Sequence, residues 1–348
     1  MDKVKERYVG LDIVRVCAIL FVIAGHFMTV NTEFPRTVFW GASMFMQEMS
    51  LVFFYIGVPL FIVLTGYLNS KKSNSYKYYK GGIRVLVSYL FFSVVTIAFR
   101  KYYLHEEASW LEWIFQIGAF KAIPYGWYIG MWIGLFLLTP FLNLLYHNIP
   151  SRKQKLWLII ALYILTALPV TLNRHNLGIY VLPEFWTGCF PLVFFFMGAY
   201  IKEYQPTVKT WKALVLIISI CLINPAANAL LYGGTRLKVD ITGGVFGMFT
   251  PILTVLFFLL VYNIRTKATG LRTVFAKISV LSLDMYLCCY IFDRLIYPYF
   301  LDRYFEGQGQ FGKYIFIIVP LVFAGSFLAA WAKDILFKGI GKMWYFAR

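Results

Sequence analysis

Apolar residues run through this chain in blocks of about twenty, separated by short polar connections. The blocks fall near 9–30, 49–69, 83–101, 126–146, 156–173, 185–201, 212–232, 244–263, 278–298 and 313–333. A bilayer core of roughly 30 Å takes about 20 apolar residues in a helix. The pattern therefore predicts an all-α, polytopic integral membrane protein with about ten transmembrane helices, forming a single domain over 1–348. The aromatic, amphipathic connection near 102–125 (YYLHEEASWLEWIFQIGAFKAIPY) is expected to lie on the membrane surface or dip into it. No internal repeat accompanies the blocks, so the inverted-repeat architecture of many transporters gains no support.

Composition agrees with the pattern and adds a question. The chain is 60% hydrophobic and only 14% charged, where a soluble protein carries about 25% charged residues. An ordinary soluble enzyme is excluded. The formal charge is nevertheless +17, which suits either a nucleic-acid partner or a membrane surface. Position decides between them. Lys3, Lys5 and Arg7 precede the first block, and Lys71, Lys72, Lys77, Lys80 and Arg84 follow the second. Later even-numbered connections hold Arg152, Lys153, Lys155, Lys202, Lys209, Lys212, Arg265, Lys267, Arg272 and Lys277, and the tail holds Lys333, Lys338, Lys342 and Arg348. That side collects twenty-two of the 33 basic residues; the other side holds ten, offset by ten acids, Asp293 among them. By the positive-inside rule both termini are expected in the cytoplasm. The excess charge is then a topology signal that also attracts anionic lipid, and no nucleic-acid partner is expected.

The run from Val9 to Val30 is too long for the apolar core of a signal peptide and contains Asp12, Arg15 and His26, so it reads as a retained span. The five cysteines all fall inside apolar blocks, which points to core residues and to neither a disulfide framework nor a metal site.

Ionisable groups within a bilayer cost about 2.5–3.5 kcal/mol each at a helix centre on insertion scales. The first block carries three. Arg15 and His26 are eleven positions apart, about three helical turns, so they project from one face, separated by roughly 16 Å along the axis. Asp12 lies one turn before Arg15 and is placed to pair with it. One reading has Arg15 snorkelling to the headgroups and His26 packing as a helix contact. The other joins a cation near one surface to a titratable base deep in the bilayer. That arrangement fits a ligand with an anionic head and a long thin arm, such as an acyl-coenzyme A, with His26 as general base on an acceptor hydroxyl.

Arg15 and His26 in a first span behind a short basic tail resemble the signature of the membrane-bound acyltransferase family 3. The similarity extends along the chain. VPLFIVLTGYLNSKK (Val58–Lys72), YKYYKGGIRVLVSYL (Tyr76–Leu90), WYIGMWIGLFLLTPFLN (Trp127–Asn143), FPLVFFFMGAYI (Phe190–Ile201) and SVLSLDMYLCCYIFD (Ser279–Asp293) each resemble a stretch of that family. The resemblance implies O-acylation of extracytoplasmic or lipid-linked glycans from cytoplasmic acyl-CoA, most simply acetyl-CoA, in the cytoplasmic membrane of a bacterium. Polysaccharide-synthesis machinery would be a neighbour, and no metal is implied. Catalysis would fall to His26 with Arg15. The donor would be held by Arg15, Lys80 and Arg84, and the acceptor by Trp127, Tyr128 and Glu48.

Two departures are visible. The first of the family's paired arginines before the third span reads Gly81, leaving Lys80 and Arg84, and a His common in its Tyr-Leu-x-His pattern reads Cys289. His26 is thus the only His inside a span. Trp127 and Tyr128 equally suit an interfacial aromatic belt, and Asp284 equally suits a buried ion pair. His105, His147 and His175 fall in connections and read as solvated. Direct transfer and a covalent acyl intermediate both fit these residues. The rival function is a proton-coupled transporter or exporter of a polysaccharide precursor or small solute, with Arg15 and His26 lining its path.

Overall fold

The computed structural model describes residues 9–29, 41–173, 183–232 and 243–346. The basic N-terminal segment with Lys3, Lys5 and Arg7 lies outside the described residues, as do Arg36, Arg174, His175, Arg236 and Lys238. The chain folds into helices α1 Val9–Thr29, α2 Gly41–Phe54, α3 Gly57–Asn69, α4 Tyr76–Lys80, α5 Ile83–Tyr102, α6 Trp110–Gly118, α7 Trp127–Asn148, α8 Arg152–Leu172, α9 Phe190–Tyr204, α10 Thr210–Tyr232, α11 Phe249–Val261, α12 Thr269–Tyr304, α13 Gln308–Phe311 and α14 Ile315–Phe346, with no strand among the described residues.

Among the described residues, nine spans are long and apolar enough to cross a membrane. The expected eighth span contains α11, whose 13 residues cover only about 20 Å. The expected second span is made of α2 and α3, joined through a break at Tyr55 and Ile56. The 36 residues of α12 reach about 54 Å, well beyond the bilayer core. Arg272, Lys277 and Arg303, outside the block expected at 278–298, are therefore part of this helix, together with Asp293 and Arg294 inside the block. Polarity marks where a helix leaves lipid and does not mark where it ends.

Outward faces are apolar, as lipid requires. Leu86, Leu90 and Val94 on α5 and Leu137, Phe141 and Leu144 on α7 are exposed, while α1, α3 and the middle of α12 are largely buried. Helices α3 and α9 pack in close contact. A Cβ on Gly66 would run into the Phe195 carbonyl, and one on Gly198 into the Val63 carbonyl. These two glycines let the backbones touch.

Side chains gather the helix ends into two layers. At one end Arg15 Nη1 donates to Ser279 Oγ at 2.9 Å. Asn143 Nδ2 donates to the Asn69 and Lys72 carbonyls at 2.8 and 2.7 Å, and Lys155 Nζ donates to both oxygens of Glu203 at 2.8 and 2.9 Å. Lys202 lies 4.6 Å from the Tyr67 ring centre and Lys277 lies 3.8 Å from that of Trp331. His147, expected to be solvated, closes the same end, with Nε2 2.7 Å from the Ser70 carbonyl. The alternate basic connections thus do share one face.

At the other end α6 begins with a capping box, in which Ser109 and Glu112 satisfy each other's backbone amides. The bond from the Ser109 amide holds the Glu112 carboxyl below its ordinary range. Arg100 binds Glu106 Oε2 at 2.7 Å, Gln116 Oε1 at 2.8 Å and the Ala122 carbonyl at 3.1 Å. This clamp turns the segment 119–126 inward, burying Ile123 and Tyr125. Part of the aromatic connection therefore enters the bundle.

Lys333 is not in a solvated tail. It is buried on α14, with Nζ 3.0 Å from both oxygens of Asp284 and 2.6 Å from Ser88 Oγ. Its attraction to the buried Asp284 carboxylate draws it into the bundle and joins α5, α12 and α14.

Candidate active site

Helices α1 and α12 run in the same direction, and each carries a polar stripe. On α1 the stripe is Arg15 and His26. On α12 it is Ser279, Ser282, Tyr286, Cys289 and Asp293, spaced three and four residues apart and therefore on one face. The stripes meet in register. Arg15 binds Ser279 at one end, and three turns on His26 Nδ1 lies 3.9 Å from Cys289 Sγ and 4.0 Å from Asp293 Oδ2.

The inward-turned segment 119–126 completes this end. The Tyr125 ring lies against the His26 imidazole, 3.8 Å between centroids, and its hydroxyl donates to Asp293 Oδ2 at 2.9 Å. Tyr286 in turn donates its hydroxyl to the Tyr125 carbonyl. Asp293 is 1% exposed, and its Oδ1 has no hydrogen-bond partner among the described residues. His26 keeps 17% of its side chain exposed, so it is the accessible member of the cluster.

Between the two ends is a cavity of about 330 Å³. Arg15, Asn69, Ser282 and Val85 line it, together with apolar side chains of α1 and α3; Tyr128 and Tyr286 also line it, their rings 5.5 Å apart and edge-on. His26 is not in its wall. Tyr286 thus connects the cavity wall to the His26 cluster, through its bond to the Tyr125 carbonyl.

Of the site residues expected from sequence, Arg15 and Tyr128 line this cavity and His26 lies beyond its tyrosine wall. Lys80 and Arg84 are exposed and outside it, although Val85 beside Arg84 is in its wall. Trp127 is half-exposed at the start of α7, edge-on to Phe246. Glu48 is fully buried on α2, where its Oε2 accepts from Asn224 and, at 3.3 Å, from Asn228 of α10. Asp12 is buried and borders a separate cleft with Arg272.

Sequence reasoning missed Tyr125 and Asp293. The α12 periodicity was a usable signal for Asp293. Tyr125 had none, because the turn that brings it to a partner 168 residues away in the chain is tertiary.

A carboxyl group 4.0 Å from a ring nitrogen of His26 sets two proton-exchanging groups side by side, so the cluster can accept and return a proton. The ligand atoms of His26, Cys289 and Asp293 all lie within 4.8 Å of one another, the one such group among the described residues that could hold a metal ion. No curated protein and no solved structure matches the chain. A family model described as an acyltransferase domain matches residues 8–332. With the membrane bundle and the Arg15–His26 register already in place, the chain belongs to acyltransferase family 3 and is a membrane acyltransferase.

Proposed function

We propose that the protein is an O-acyltransferase of the cytoplasmic membrane of a bacterium, moving a short acyl group, acetyl in the simplest case, from acyl-CoA to a hydroxyl of an extracytoplasmic or lipid-linked glycan. The observation that carries this reading is the cavity between α1 and α12, with Arg15 at its basic end and the tyrosine wall before His26 at its other end. The CoA phosphates bind at the basic mouth, where Arg15 is in the wall and the exposed Lys80 and Arg84 are free to gather on an arriving polyanion. The pantetheine arm follows the apolar wall toward Tyr128 and Tyr286. The acceptor approaches from the opposite face, where Trp127 offers a stacking surface, and His26 takes the hydroxyl proton while Asp293 stabilises the imidazolium. Glu48 is given no part in binding, since the asparagines of α10 already engage it.

The membrane position answers a topological problem, because a cytoplasmic thioester and an outer glycan are separated by the bilayer. The test uses purified protein, labelled acetyl-CoA and surface glycan from cells lacking the gene. Label transfer is expected, and His26→Ala should abolish it while donor binding remains. A wild-type protein that neither binds the donor nor labels the glycan would sink the reading.

A further inference from the structure

Tyr286 lines the cavity, and Cys289 is the next turn of the same α12 face, about 4.5 Å further along the axis. Cys289 is fully buried behind Tyr286, outside the cavity wall, with Sγ 3.1 Å from the Tyr286 carbonyl. Cys289 Sγ lies 3.9 Å from His26 Nδ1, and Asp293 Oδ2 lies 4.0 Å from the same nitrogen. A thiol, a base and a carboxylate therefore share one buried cluster, in which Asp293 Oδ1 has no hydrogen-bond partner among the described residues. The adjacent Cys288 faces the other way, with Sγ 3.5 Å from the Ser326 carbonyl of α14.

We propose that Cys289 is a catalytic nucleophile that carries the acyl group as a thioester between the donor and acceptor sides. This rests on the acyl-transfer reading of the same site. In the first half-reaction His26 Nδ1 takes the Sγ proton. The thiolate forms a bond to the acyl carbon, the carbon–sulfur bond to CoA breaks, and the CoA thiolate takes the proton from His26 and leaves as free CoA. In the second, His26 takes the proton of the acceptor hydroxyl, whose oxygen bonds to the acyl carbon. The Cys289–acyl bond breaks, and the proton returns to Sγ. The exchange is thioester for thioester and then thioester for ester, with no change of oxidation state. A thiolate is a stronger nucleophile than the acceptor hydroxyl, and the imidazolium formed at each stage stays beside Asp293. Tyr125 and Tyr286, bonded to Asp293 and to each other across this end, keep the cluster in place while the two substrates alternate.

The experiment exposes the full-length protein in detergent to labelled acetyl-CoA without acceptor, followed by mass analysis of the α12 peptide. Wild type and Cys288→Ala should both carry one acetyl group on Cys289, released by neutral hydroxylamine. Cys289→Ala should carry none and should transfer label to the glycan at least a hundredfold more slowly. Cys289→Ser keeps a side chain of nearly the same size and should form at most a hydroxylamine-resistant ester. Absence of label from Cys289 in wild type, or transfer by Cys289→Ala at the wild-type rate, overturns the proposal. So does transfer that is lost on chelation and restored by zinc, which would assign His26, Cys289 and Asp293 to a metal. If Cys289→Ala is fully active and His26→Ala is inert, the thioester falls and acyl transfer stands. If wild type neither binds the donor nor transfers label, the underlying reading falls.

Discussion

His26 is positioned by two neighbours that act differently on it. Tyr125 covers a ring face, and Asp293 stands at the Nδ1 edge. Replacing Asp293 by Asn removes the charge that balances an imidazolium and keeps the side-chain shape. General acid–base catalysis contributes about 10²–10⁴-fold, so Asp293→Asn should lower kcat by about a hundredfold or more, with donor binding unchanged in an isotope-binding assay. Tyr125→Phe keeps the ring against His26 and deletes the bond to Asp293. A single hydrogen bond contributes about 1 kcal/mol net, so this variant should fold, and its smaller loss should appear in kcat while the KM for donor stays constant. Arg15 belongs to the other end of the cavity. Arg15→Ala should therefore raise the donor KM, and the conservative Arg15→Lys should restore part of the affinity.

At the scale of elements, two devices hold the helices in the register that the site needs. The first is the buried contact of Lys333 with Asp284 and Ser88, which ties α14 to α12 and α5. Breaking a buried pair by removing one partner costs about 3–5 kcal/mol, whereas replacing both by apolar groups is often neutral. Lys333→Met alone should lower the thermal midpoint in detergent sharply, and Lys333→Met with Asp284→Leu should recover most of the loss. A wild-type midpoint for Lys333→Met alone would show that the pair contributes nothing. The second device is the glycine contact between α3 and α9. Both stretches could be recognised in the sequence, one ending Thr-Gly-Tyr and the other Gly-Ala-Tyr, but their mutual contact could not. Gly198→Leu pushes against the Val63 backbone, which cannot yield as a side chain does. It should destabilise the protein far more than Gly25→Leu, because a Cβ at Gly25 meets nothing within 4 Å.

For the whole molecule, the common face formed by Arg15, Lys155, Lys202 and Lys277 predicts a sidedness that labelling can measure. Single cysteines at Lys71 and Lys153 should be protected from a membrane-impermeant thiol reagent in intact cells, and one at Glu107 should be labelled. The reverse pattern would invert the topology and place the acyl-CoA side outside. The class, the number of apolar blocks, the sided charge and the Arg15–His26 face were all legible in the sequence, because each follows from local periodicity or from the free-energy cost of placing charge in lipid. The polar stripe on α12 was legible in the same way, although counting Asp293 among the acids of the outer side hid its last member. Other features needed the tertiary structure. The pairing of α1 with α12, the inward turn that sets Tyr125 on His26, the burial of Lys333 and the placing of Glu48 among the asparagines of α10 all join residues far apart in the chain. Periodicity states which face of a helix is polar. Which faces meet, and at what height, is decided by packing the whole bundle at once.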